Sequence, residues 1–151
     1  MKEQQLIGGT ALHWADASAF VELTISRSIY NMVMAARLGR TVFFGRGIID
    51  QISGLEQLGR PVPPHLAAAA QRFRANETVF MVPPWQQIYR TDSERRHSFA
   101  DAEAAYATLW LTYSRLGYRP VVVPRRELCA RADFVLSRLG LTPAADYRSS
   151  E

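Results

Sequence analysis

The chemistry-bearing stretch of this chain is Val42-Phe43-Phe44-Gly45-Arg46-Gly47. A short apolar run ends in Gly-Arg-Gly, and a helix-like pattern begins at once. In open α/β sheets, ligands bind outside the carboxyl ends of strands, so Arg46 is placed to meet an anion there. Its other role is a salt bridge to Asp50, one helical turn on. A second group of cations, Arg90, Arg95 and Arg96, flanks Thr91-Asp92-Ser93-Glu94, a capping-box pattern. A helix start offers free amides and a positive dipole end, and arginine adds planar forked donors, a combination suited to phosphate or carboxylate. The alternative is a solvated basic turn paired with Asp92, Glu94 and Asp101, since such surface pairs are common and weak. Glu22 lies among apolar neighbours in a helical stretch. It either sits on the polar face or aims a carboxylate at the crevice.

Other chemistries find no support. His13, His65 and His97 are far apart and fit no Cys/His ligand spacing, so no metal site is expected. There is no Gly-x-Ser-x-Gly elbow for a hydrolase nucleophile. Cys129 is alone, which rules out a disulfide within the chain, and it falls in a helical stretch where an inert thiol is expected.

The bulk properties suit one soluble domain. The 151 residues are 48% hydrophobic and 21% charged, with 18 Lys+Arg against 14 Asp+Glu and a net charge of +4. No apolar run approaches the roughly 18 residues of a membrane span. The first residues lack the basic-then-apolar layout of a secretory signal, so a cytoplasmic location is expected. All the basic residues but Lys2 are arginine. That bias fits a phosphorylated small molecule or a nucleic-acid backbone, and equally a high-GC codon usage. Nucleic acid is the weakest of these, because the basic residues form no contiguous stripe and no aromatic–basic platform.

The elements that must position these residues follow from periodicity and punctuation. Asp16 caps a helix over 17–38, stopped near Gly39. Thr41 to Phe44 reads as a short buried strand. Ile48 to Leu58 is a helix ended by Gly59, and Pro61-Val62-Pro63-Pro64 turns into a helix over 65–74. Thr78 to Val82 is a second strand. The capping box at 91–94 opens a helix to about Leu116, ended by Gly117. Pro120 to Val123 is a third strand, and Glu127 to Leu139 the last helix. Three short apolar strands separated by helices predict an α/β fold with a parallel sheet covered on both faces. The domain is expected over 1–140, with 141–151 as a flexible tail.

Several segments together resemble a known family. Phe43-Phe44-Gly45-Arg46-Gly47-Ile48-Ile49-Asp50 is similar to the Phe-Phe-Asp-Arg-Gly-x-x-Asp stretch of P-loop AAA-type ATPase/kinase-like proteins, the NadR-like group. Gly8 to Asp16, with Phe20-Val21-Glu22-Leu23, resembles the segment this group carries after its phosphate loop. Val79 to Trp85 and Tyr89 to Arg96 are similar to its later strand and arginine-bearing lid. Tyr113 to Tyr118 leads into the last strand, as in the family. The resemblance spans about residues 3–139. It implies a three-layer P-loop NTPase fold, ATP and Mg²⁺ as cofactors, and hydrolysis or phosphoryl transfer to a small acceptor. Carried over residue by residue, it implies catalytic roles for Arg46, Asp50 and Arg95, and substrate contacts for Glu22, Arg90 and Arg96.

Two departures qualify that implication. The 151 residues contain no Gly-x-x-x-x-Gly-Lys-[Ser/Thr] loop, and the family's first aspartate is Gly45 here. Glycine has no side-chain oxygen to orient a magnesium-bound water or accept a proton. Little or no phosphoryl transfer is therefore expected, and the alternative is a non-catalytic module that binds a phosphorylated ligand or a protein. The first strand of the family's sheet is also missing, so the chain is expected to be marginal alone or to complete its sheet as a homo-oligomer.

Overall fold

The computed structural model describes residues 2–90 and 97–142. The chain divides into two compact units, Met1–Ala75 and Asn76–Glu151.

The first unit is helical. Helix α1 (Lys2–Leu6), which the sequence pattern does not announce, precedes α2 (Ala17–Ala36), α3 (Ile48–Gln57) and α4 (Pro64–Arg72). The Asp16 side chain accepts from the Ala19 amide at 2.9 Å, the N-cap that the sequence predicts for α2. Pro64 takes the first position of α4, where its missing N–H leaves no helix bond unmade. Helices α2, α3 and α4 pack on one another. Their apolar faces bury Val21 and Ile25 from α2, Ile48, Ile49, Ile52 and Leu55 from α3, and Leu66, Ala69 and Ala70 from α4. Gly59 follows α3 at φ +64°, where its amide bonds to Glu56 O and the next amide reaches back to Leu55 O. That pair of bonds is the Schellman stop, and the left-handed φ is the reason a glycine stands there.

The second unit carries the sheet. Strand β1 (Thr78–Met81) pairs in parallel with β2 (Arg119–Val122), in the register Thr78↔Arg119 to Met81↔Val122. The Val123 amide donates to Met81 O at 2.9 Å and carries the pairing one step further. Parallel strands need a crossover, and α5 (Phe99–Arg115) supplies it and packs against β2. A second Schellman stop at Gly117, φ +77°, turns the chain from α5 into β2. Helix α6 (Leu128–Arg138) follows β2. Among the described residues of this unit, Met81, Thr112, Tyr113, Tyr118 and Val123 are buried.

Two expectations are corrected. Thr41–Phe44 is not a strand and joins no sheet, so the described residues hold two strands instead of three. Phe43 and Phe44 are 56% and 44% exposed, far from a buried strand. An apolar run becomes a strand only when a neighbouring backbone takes its N–H and C=O groups, and none does so here. The long helix begins at Phe99 instead of directly after the box at 91–94. Ser98 and Asp101 form its capping box: the Asp101 amide donates to Ser98 Oγ at 3.1 Å, and the Ser98 amide to Asp101 Oδ2 at 2.8 Å. Residues 91–94 lie outside the described residues.

Candidate functional site

In the first unit the Gly45-Arg46-Gly47 corner leads directly into α3. Arg46 is exposed and is the one non-glycine residue at positive φ among the described residues, at +75°. A bulky residue there is under backbone strain of about 1–2 kcal/mol, the kind held at ligand corners. Asp50 does not pair with it. Its Oδ2 accepts from the Gly47 amide at 2.8 Å and closes the first turn of α3. Gly45 is exposed and not at positive φ, and a Cβ built on it would meet open space. Neither φ nor crowding therefore requires glycine at this position, and a carboxylate would fit.

Glu22 is on α2, and its Oε1 lies 2.6 Å from Nε2 of His65 on α4. Both side chains are more than half exposed, so the contact is a surface pair between two packed helices. The structure thus joins Glu22 to His65 and keeps Arg46 and Asp50 within one corner.

Arg90 belongs to the second unit. Its Nη1 donates to Tyr89 O at 2.9 Å and to Gln87 O at 3.4 Å, holding the 3₁₀ turn Gln86–Ile88. Arg95 and Arg96 lie outside the described residues.

A cleft that the sequence reading missed opens in the second unit, at the carboxyl ends of both strands. Its volume is about 280 Å³. Val82 and Val123, each one residue beyond its strand, line it with Pro83 and Pro124. Trp85, Ile88 and Tyr89 form an apolar and aromatic wall, and Arg125 and Arg131 bring the charge. Arg125 Nη2 donates to Pro84 O at 2.6 Å, which ties the loop after β2 to the loop after β1. The Tyr89 ring meets Phe99 edge-on at 5.3 Å, and its hydroxyl donates to His97 O at 2.9 Å. Burial pushes the Tyr106 phenol up, against the opposing pull of the Arg125 charge. On α6, Arg131 has a buried Nε with no hydrogen-bond partner. A signal for this cleft stood in the sequence: Pro124-Arg125-Arg126 follows an apolar strand, just as Gly45-Arg46-Gly47 follows an apolar run.

The described residues contain no group of three or more His, Cys, Asp or Glu able to hold a metal ion. At the corner, position 45 offers no side-chain oxygen, and Asp50 Oδ2 accepts from a backbone amide. No helix among the described residues is long and apolar enough to cross a membrane.

Two parallel strands joined by a helical crossover place the second unit in the α/β class. Residues 1–131 match the AAA domain family, and the chain belongs to it. No curated protein and no solved structure matches the chain.

Proposed function

We propose that the protein is a nucleotide-binding module of the AAA-domain type that holds a phosphorylated ligand without transferring its phosphoryl group. Membership of the family supports the first half. Gly45 carries the second half. The related stretch has a carboxylate there, this chain has none, and the backbone would accept one. Without that oxygen the corner lacks the side chain that would orient a metal-bound water or take a proton from an acceptor, and the other carboxylate there, Asp50, caps α3 through its Oδ2. Arg46 remains to attract phosphate as a charge. The lone Cys129 and the arginine-rich surface suit a reducing cytoplasm, where phosphorylated metabolites are abundant.

Calorimetry with ATP, with and without Mg²⁺, alongside a phosphate-release assay, tests this reading. The expected result is weak saturable binding, in the range of about 10 μM to 1 mM, with little dependence on Mg²⁺ and no phosphate release. Turnover above the uncatalysed background would overturn it. A chain carrying Gly45→Asp together with an upstream Gly-x-x-x-x-Gly-Lys-Ser loop is expected to gain ATP turnover, and either change alone is not.

A further inference from the structure

The cleft at the carboxyl ends of β1 and β2 has a chemistry of its own. About 280 Å³ lies just below the usual range of about 300–1,000 Å³ for sites that enclose drug-sized ligands. A single ring with one appended group fits that space, whereas a nucleoside triphosphate would extend well outside it. The apolar contribution of Val82 and Val123 and the rings of Trp85 and Tyr89 favour a planar, unsaturated body. Arg125 and Arg131 favour an anion, and arginine binds carboxylate or phosphate through paired N–H donors. The two cations differ in freedom. Arg125 is exposed and already oriented by Pro84 O. Arg131 is half-buried, and its Nε, enclosed by the protein, makes no hydrogen bond.

We propose that this cleft binds a small aromatic anion, with its ring against Trp85 and Tyr89 and its charged group between Arg125 and Arg131. An aryl phosphate and an aryl carboxylate share the required chemistry. The ring supplies apolar and stacking contact, and the anionic oxygens supply acceptors for the arginine donors. The inference does not depend on nucleotide binding, since a chain that fails to bind ATP still carries this cleft.

The test is calorimetric titration of the full chain with phenyl phosphate, benzoate, inorganic phosphate and benzyl alcohol. Phenyl phosphate or benzoate is expected to saturate one site per chain, and the tighter of the two identifies the anion. Inorganic phosphate, which lacks the ring, and benzyl alcohol, which lacks the charge, are expected to bind about tenfold more weakly or worse. The Trp85 indole N–H resonance is expected to shift on binding, while those of Trp14 and Trp110 stay in place. Arg131→Gln is expected to weaken binding by about tenfold. Arg125→Gln changes an exposed side chain and makes the same test should Arg131→Gln fail to fold, as judged by circular dichroism. Absence of saturation by both arene anions would overturn the proposal. So would saturation that leaves Trp85 unmoved, or wild-type affinity in a folded arginine variant.

Discussion

Asp50 Oδ2 accepts the amide hydrogen of Gly47 at 2.8 Å, so this carboxylate closes the first turn of α3. The cap carries particular weight because Gly47 has no side chain to take part in it. Asp50→Ala is expected to lower stability by about 1 kcal/mol, read as a lower urea midpoint at unchanged slope. Asp50→Asn keeps an acceptor oxygen at the same reach and is expected to lose less. Equal stability of the alanine variant and the parent would show that the cap contributes nothing.

Arg46 sits at φ +75° between two glycines, neither of which takes the left-handed conformation. Arg46→Gly should relieve that strain and stabilise the folded chain by up to about 1 kcal/mol, read as a rise of a few degrees in the thermal midpoint. Any affinity for phosphorylated ligands that depends on this corner should fall in the same variant. A lower midpoint would mean that the guanidinium makes contacts worth more than the strain.

Local signals placed most of the helices. Asp16, Pro64, Gly59 and Gly117 are caps, starters and stops whose effect is confined to one turn, and each acts in the structure as its type predicts. Strands depend on a partner that local sequence does not name. Thr78–Met81 and Arg119–Val122 found one another, whereas Thr41–Phe44 has the same apolar character and found none. The start of α5 was open to two readings, because Ser98-x-x-Asp101 is as good a capping box as the one at 91–94. The position of Arg46 and Asp50 at the corner before α3 was legible from the local pattern. Glu22 was ambiguous because its partner His65 is 43 residues away. Arg125 and Arg131 were overlooked, although the strand-end rule that singled out Arg46 applies to Arg125 as well.

Ser98 Oγ and the Ser98 amide both bond the Asp101 carboxyl, and these bonds hold it below the usual aspartate range. Glu3 is lowered as well, first by a backbone hydrogen bond and then by Arg27, whose Nη1 lies 3.1 Å from Oε1. A carboxyl depressed in the folded state stabilises above its unfolded value, near 4, and that contribution fades as pH falls through the folded value. Thermal midpoints are therefore expected to be flat from about pH 7 down to about pH 5 with respect to these groups, and to drop below about pH 4. In Ser98→Ala the Asp101 titration, followed by NMR, should move back up toward the ordinary value. An unmoved titration would assign the depression to something other than the cap.

The folded chain leaves large apolar side chains in water: Phe43 and Phe44 on the unpaired segment, and Val82 and Val122 at the strand ends. A sheet of two parallel strands is too small to be stable without further cover, and parallel pairs are normally buried on both faces. Such surface contributes nothing to burial, so stability should lie at or below the low end of the usual range, about 5 kcal/mol. With a slope of about 2 kcal/mol per molar, the urea midpoint should fall below about 3 M. If a second copy covers these side chains, mass action makes the midpoint climb with protein concentration. Equilibrium unfolding at two concentrations, paired with sedimentation, reads both effects. A midpoint well above 3 M that does not move with concentration, from a chain that sediments as a monomer, would show that the exposed phenylalanines and valines do not weaken this fold.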